Sequence, residues 1–324
     1  MTLTELKYIV AVARERHFGR AAEACFVSQP TLSVAIRKLE DELGVTVFER
    51  GGAEIGVTPI GERLIAQAHK ILQESALMKE IARMGHDPLA GPLRVGVIYT
   101  IGPYLLPRLI PVQIQTTPQM PLILQENFTA KLVELLRNGE IDCAIMALPV
   151  PDAGLVTMPL YDEPFMVAMP AGHPWAARDS IEATDLKQQT MLLLGAGHCF
   201  RDHVLGVCPE LSRFADHNEG IQRTFEGSSL ETIRHMVAAG IGLTVMPITS
   251  LMANENAESA LLKYVPFKSP APDRRVVLAW RKSFPRMAAI QTLAQAIRES
   301  RLPGVNMLPI DKRLFDANPA QVVT

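Results

Sequence analysis

The sequence predicts an α/β protein preceded by a helix-turn-helix, and three observations carry that prediction. Residues 17–50, HFGRAAEACFVSQPTLSVAIRKLEDELGVTVFER, hold two helical patterns separated by a break at Phe26-Val27. A longer helical pattern over 59–85 carries a single apolar stripe. From Leu93 onward, β-rich runs alternate with helical ones, as in a parallel or mixed sheet with helices packed on it.

The chain starts in an amphipathic helix, MTLTELKYIV, with no signal peptide. The next helix is rich in small residues (Ala21, Ala22, Ala24), which lets another helix cross it closely. Ser28 has the chemistry of an N-cap, and Pro30 falls in the first turn, where its missing N–H is not needed. Leu32, Ala35, Ile36, Leu39 and Leu43 recur at helical spacing and are expected to be buried. The opposite face carries Ser28, Gln29, Thr31, Ser33, Arg37 and Lys38, with no carboxylate until Glu40. Short donors and acceptors followed by cations suit a major groove and its phosphates. An ordinary helical hairpin with a solvated polar face is the alternative reading.

Leu64, Ile65, Ala68, Ile71, Leu72, Leu77 and Ile81 form the stripe of the long helix, which is expected to pack on a partner helix or on its own domain. Gly85, Pro88, Gly91 and Pro92 mark a boundary. Beyond it, LRVGVIY, PLILQEN, DCAIMAL, PFMVAMP, TMLLLG, GIGLTVMP and RRVVLAW read as strands, with helices over 130–137, 229–239 and 286–298. Residues after 301, with Pro303, Pro309 and Pro319, read as a loosely ordered tail.

Composition limits the function classes. A chain of 324 residues with 48% hydrophobic side chains can build more than one core. Its 32 basic and 34 acidic residues leave a net charge of −2, so any nucleic-acid binding must be local. No apolar run is long enough to cross a bilayer, and a membrane role is not expected. Four cysteines (Cys25, Cys143, Cys199, Cys208) make no secreted disulfide framework, so the expected compartment is the cytoplasm. Cys25 and Cys143 lie in apolar patterns and are expected to be buried structural thiols.

The order Phe18, Ala21, Ala22, Ser28, Gln29, Ser33, Ile36, Leu39, Glu40, Leu43, Gly44, Phe48, Arg50 and Thr58-Pro59-x-Gly61 resembles the N-terminal domain of LysR-type transcriptional regulators. The wing, Gly51-Gly52-Ala53-Glu54, carries no cation. The resemblance implies a winged helix-turn-helix at 1–58 and a dimerisation helix at 59–88. It also implies a regulatory domain like a periplasmic binding protein, with subdomain I at 89–162 and 268–300, subdomain II at 163–267, and a tail at 301–324. The chain would cross between subdomains near Asp162 and Phe267. Double-stranded DNA, read through Ser28, Gln29, Pro30, Thr31, Ser33, Arg37 and Lys38, and RNA polymerase are the implied partners of a homodimer or homotetramer.

GHCFRD at 197–202, followed by Cys208, resembles the peroxide-sensing members of that family, as do YTIGPYLLPRLIP, YDEPF, GHPWA and SSLETIRHMVAAG. A sensor thiol needs cations or donors nearby, and Cys199 has His198, Arg201 and Asp202 around it. The resemblance implies that Cys199 is oxidised by hydrogen peroxide and then joined to Cys208, with a cytosolic thiol reductant closing the cycle. It points to Thr100, Thr129, His198, Arg201, Asp202 and Arg275 as the peroxide pocket. The choice of Arg275 over its neighbour Arg274 rests on alignment alone. If the segment after Cys199 is helical, the nine-residue spacing puts the two Cα atoms roughly 13 Å apart. That is beyond the reach of a disulfide without remodelling.

Neither a cofactor nor a bound metal is expected. Competing readings are a metal sensor using His198, Cys199, His203, Cys208 and His217, a regulator binding a small organic effector, and a thiol peroxidase. No C-x-x-C spacing supports the first, and an enzyme would leave the DNA-binding region idle.

Overall fold

The structure is a computed structural model describing residues 1–49, 55–84, 87, 89–151, 154–209, 224–227, 229–253, 261–311 and 313–316. The wing residues Gly51–Glu54, the boundary residues Gly85 and Pro88, His217, residues 210–223 and Pro319 lie outside the described residues. The chain divides into two compact units, Met1–Gly85 and His86–Thr324.

In the first unit, α1 (Leu3–Glu15) starts with a reciprocal cap. Thr2 Oγ1 accepts from Glu5 N, and Glu5 Oε2 accepts from Thr2 N at 2.7 Å. Helix α2 (Phe18–Ala24) buries Ala21 and Ala22, and its N-cap is His17, whose Nδ1 accepts from Gly19 and Arg20 N–H. Helix α3 (Gln29–Leu43) is capped by Ser28, whose hydroxyl accepts from Thr31 N, and ends at Gly44 with φ +66°. Leu32, Ile36 and Leu39 are buried as the spacing requires. Three positions depart from expectation: Ala35 is half-buried, Leu43 is exposed, and Glu40 is buried. The chain reverses after Gly44 and brings two backbone donors to the end of α3. Glu40 Oε1 accepts from Val47 N at 2.7 Å and Phe48 N at 3.2 Å.

Strands β1 (Phe48–Glu49) and β2 (Gly56–Val57) form an antiparallel pair leading to α4 (Pro59–Met84). Thr58-Pro59-x-Gly61 has a local cause. Thr58 Oγ1 caps Gly61 N, and a Cβ at position 61 would lie 2.3 Å from Val47 O, so only glycine fits. Leu64, Ile65, Ala68, Ile71 and Leu72 pack on the core of their own unit. The side chains of Leu77 and Ile81 lie outside the description.

The second unit is built on an eight-stranded sheet with the order β10-β6-β11-β5-β3-β4, on which β9 and β12 also pair with β6. Here β3 is Leu93–Ile98, β4 Leu122–Asn127, β5 Cys143–Ala147, β6 Leu155–Pro170, β9 Thr244–Pro247, β10 Leu262–Pro266, β11 Asp273–Arg281 and β12 Asn306–Met307. A separate parallel pair joins β7 (Met191–Leu194) to β8 (Thr224–Gly227). The expected separate strand PFMVAMP is the second half of β6, a single 16-residue strand. Its first half pairs with β11 up to Pro164, and its second half pairs with β9 and β10. One hydrophobic core accompanies each half. Pro159 and Pro164 argue against a strand in sequence. The register shift between Val276 and Val277 lies where Pro159 is accommodated.

Helix α5 (Gly102–Thr116) contains Pro107 and Pro111 and was not expected; α6 (Thr129–Asn138) was. Helices Leu230–Ala238 and Met287–Glu299 match the expected positions closely. The loosely ordered tail requires correction up to residue 316. Leu302 is buried, β12 pairs with β6 at Tyr161 and Asp162, and Phe315 stacks on Trp280 at 6.4 Å. Burial of these apolar side chains offsets the cost of ordering a proline-containing segment.

The crossing from one core to the other is held by a buried ion pair. Cross-strand register sets Arg274 opposite Glu163 and Arg275 opposite Asp162. Side chains alternate along a strand, so the two arginines leave on opposite faces. Arg274 and Glu163 have fully buried side chains, and Arg274 Nε donates to Glu163 Oε2 at 2.7 Å. Arg275 is 47% exposed and pairs with Asp162. Removing one member of a buried pair strands the other, which costs about 3–5 kcal/mol. Arg274→Ala is therefore expected to lower the unfolding free energy of this unit, measured by denaturant titration, by that margin, whereas Arg275→Ala should stay close to wild type. Fluorescence of Trp175 and Trp280, the chain's two tryptophans, reports both transitions.

Candidate functional site

The first candidate surface lies on α3. Ser28, Gln29, Pro30, Thr31, Arg37 and Lys38 are exposed, and Ser33 is half-buried. The hydroxyls of Ser28 and Thr31 bond each other at 2.8 Å. Helical spacing strings these residues from the N-terminus of α3 to the two cations, about two turns further on.

The second site lies beyond the C-terminal ends of two parallel strands. Thr100 follows β3, and Thr129 opens α6 directly after β4. Against them packs the segment leading into α7 (Cys199–Val207), a helix with His198 as N-cap and Cys208 as C-cap. Gly197 has φ +95°, a conformation L side chains rarely adopt, and a Cβ there would also meet the Phe128 ring at 3.5 Å. His198 is buried, with its ring 4.7 Å edge-on to Phe128 and 6.0 Å from Tyr99. Between Tyr99, Thr100, Phe128, Thr129, His198 and Cys199 lies a cavity of about 10 Å³. That is room for about one water-sized molecule. Thr129 Oγ1 is buried there and has no hydrogen-bond partner.

The cavity is braced from behind. Arg274 Nη1 donates to Thr100 Oγ1 at 2.7 Å, and Nη2 donates to Thr100 O at 2.8 Å. The same guanidinium lies 4.9 Å over the ring of Phe200, the residue after Cys199. Glu163, its partner, also accepts from Thr249 N and Oγ1. The structure thus brings together Thr100, Thr129, His198 and Cys199. It does not bring Arg275, which sits with Asp162, and the cation near Thr100 is Arg274. Nor do Arg201 and Asp202 line the cavity: Arg201 Nη1 donates to Leu194 O, and Asp202 is exposed.

Phe200, Val204 and Cys208 recur every fourth residue along α7 and enter the core that accompanies the second half of β6. Cys199 packs on the other core. Nine residues at about 100° each set the two thiols on roughly opposite faces, about 13 Å apart along the axis. Neither is in a disulfide; Cys208 is 1% exposed and Cys199 is half-buried. His203 Nε2 bonds Leu148 O at 2.8 Å, tying mid-α7 to the end of β5, while its Nδ1 is buried without a partner. Burial pushes the His203 pKa down, which keeps the ring neutral. Cys143 is buried and its thiol is pushed well up by burial, the environment of a structural cysteine. Cys25 differs from expectation in being half-buried at the C-cap of α2; burial also raises its pKa.

Among the described residues, no three His, Cys, Asp or Glu side chains gather as a metal site, and no helix is long and apolar enough to cross a membrane. Sequence reading missed Glu163 and the places of Arg274 and His203. Parity across a bulge decides the first two, and only packing reveals the third.

Comparison with known proteins agrees with both halves. Residues 3–62 match the bacterial regulatory helix-turn-helix of the lysR family, and residues 86–301 match the LysR substrate binding domain. The DNA-binding transcriptional dual regulator OxyR of Escherichia coli K12 is 40% identical over 304 residues, 94% of this chain and 97% of its own. A hydrogen peroxide-inducible genes activator of Pectobacterium carotovorum is 40% identical over 92% of this chain and 96% of its own. A full-length OxyR variant from Pseudomonas aeruginosa superposes with TM-score 0.73 at 53% identity, covering 92% of this chain and 95% of that one. With both domains matched and relatives similar over nearly their whole length, the chain belongs to the LysR family of bacterial DNA-binding regulators.

Proposed function

We propose that this chain is a cytoplasmic transcription regulator that senses hydrogen peroxide through Cys199 and Cys208. One observation carries the reading: a half-buried thiol at the start of α7 borders a cavity of about 10 Å³ that also holds an unpartnered buried hydroxyl. A space of this size favours a very small ligand, such as a peroxide, over a bulky organic effector. Cys199 opens the first turn of α7. Its thiolate attacks one peroxide oxygen and the O–O bond breaks. Hydroxide leaves and takes a proton to become water, and Cys199 becomes a sulfenic acid. The Cys208 thiol then displaces the sulfenic oxygen as a second water, forming the disulfide. Thr129 and His198 hold the peroxide, and Arg274 orients Thr100.

The disulfide requires α7 to unwind, because its thiols lie about 13 Å apart and on roughly opposite faces. Unwinding breaks the His203–Leu148 bond and withdraws Phe200 from Arg274. The subdomains at 89–162 with 268–300 and at 163–267 pass that change to a dimer or tetramer paired through the 59–84 helix. Ser28, Gln29, Pro30, Thr31, Ser33, Arg37 and Lys38 meet DNA, RNA polymerase reads the outcome, and a cytosolic thiol reductant restores the reduced form. The protein acts as a regulator rather than as an enzyme.

Cys199→Ser is expected to abolish the response, since a serine hydroxyl forms no sulfenic acid. Cys208→Ser should consume peroxide but stall at the sulfenic acid. In the wild type, mass spectrometry after limited oxidation should find one intramolecular Cys199–Cys208 bond with Cys25 and Cys143 reduced. A bond to another cysteine or between chains would refute the switch.

Thr129→Val keeps the shape but removes the unpartnered oxygen. Stability should hold or rise, because a buried unsatisfied hydroxyl is lost. Stopped-flow oxidation should slow by up to about tenfold, from about 0.5–1.5 kcal/mol of lost hydrogen bonding in the transition state. Oxidation as fast as wild type would make the threonine purely structural.

A further inference from the structure

The break between α2 and α3 holds a residue that the fold does not need. Helix α2 ends in a Schellman motif: Val27 N donates to Ala22 O, and Phe26 N donates to Glu23 O, both at 3.0 Å. The motif requires a left-handed residue at its turning point, normally glycine and sometimes asparagine, and Phe26 occupies it with φ +56°. A bulky L side chain is strained in that conformation. Nor does the ring recover anything by packing, because Phe26 is 96% exposed, the most exposed large hydrophobic of the described residues. Val27, the next residue, supplies the apolar contact that such a motif usually carries. Backbone conformation and solvation therefore both disfavour phenylalanine here.

The position of the ring suggests what it is for. Phe26 stands two residues before Ser28, the cap of α3, beside the end of the helix expected to enter the major groove. We propose that Phe26 is a DNA-contacting residue, whose ring packs on the apolar surface of the duplex beside the recognition helix. That surface is a thymine 5-methyl group or a deoxyribose face. The contact adds apolar area to an interface whose other members, Pro30 apart, are hydroxyls, an amide and cations. It rests on the reading of α3 as the DNA-facing helix.

The test uses the full-length protein and a duplex selected by the wild type from a random pool. Phe26→Gly suits the left-handed position, so thermal unfolding should occur at the same or a higher temperature. Its affinity should fall by about fivefold to thirtyfold, the range of one lost apolar contact. The slope of log affinity against log salt should not change, because no phosphate contact is lost. Arg37→Ala, by contrast, should weaken binding and flatten that slope. A duplex with deoxyuridine in place of thymidine separates the two surfaces. If wild type loses affinity on it and Phe26→Gly loses nothing further, the ring meets a methyl group; if the variant's deficit persists, it meets sugar. Wild-type affinity in Phe26→Gly, with Arg37→Ala weakened, overturns the role of Phe26 alone. Wild-type behaviour in both variants overturns the α3 reading as well. A lower unfolding temperature in Phe26→Gly would show that the ring packs within the protein, and would also overturn the proposal.

Discussion

The Glu163–Arg274 pair is the constraint around which the regulatory unit is arranged. Two opposite charges withdrawn fully from water cost several kcal/mol each unless every donor and acceptor is met. Glu163 meets its demand with Arg274 and Thr249, and Arg274 meets its own with Glu163 and both oxygens of Thr100. Satisfying these groups fixes β6 against β11 and sets Thr100 beside the cavity. It also leaves the guanidinium face over Phe200, so the first turn of α7 rests on the pair. The cavity beside Cys199 and the architecture of the crossing therefore share one set of hydrogen bonds.

Continuity of β6 explains why that pair sits where it does. A strand serving two cores has to pass from one hydrophobic environment to another without a loop, and its backbone stays paired throughout. Glu163 lies at the changeover, just before the partner changes from β11 to β9 and β10. A buried polar network is poorly tolerated inside a core but fits a seam between two, where each side supplies partners. Helix α7 straddles the same seam, with Cys199 in contact with one core and Cys208 in the other.

Much of this was legible in the sequence where local rules govern. The cap at Ser28, the apolar spacing of α3 and the strands β3, β4, β5 and β11 followed from periodicity and capping chemistry. Proline rules hid two elements. Pro107 and Pro111 disguised α5, and Pro159 and Pro164 disguised the first half of β6, because tertiary packing compensated for the missing donors. Parity hid the correct arginine: positions 274 and 275 are equivalent in composition, and only pairing with Glu163 or Asp162 distinguishes a buried ion from an exposed one. Glu40 read as polar surface because its backbone partners, Val47 and Phe48, reach it only after the chain turns.

The near-complete burial of Cys208 bears on noise as well as on geometry. Thiol–disulfide exchange needs an attacking thiolate to meet a disulfide sulfur in line, so a bulky disulfide must reach the thiol directly. Cys208, at 1% exposure, offers no such approach while α7 is intact. Cys199 borders a space too small for a tripeptide disulfide. Exchange at Cys208 with a bulky disulfide thus waits on an opening of α7, whatever the reduction potential of the pair. Under the proposed function, its redox state would then record encounters with a small oxidant and not the running average of the cell's thiol balance.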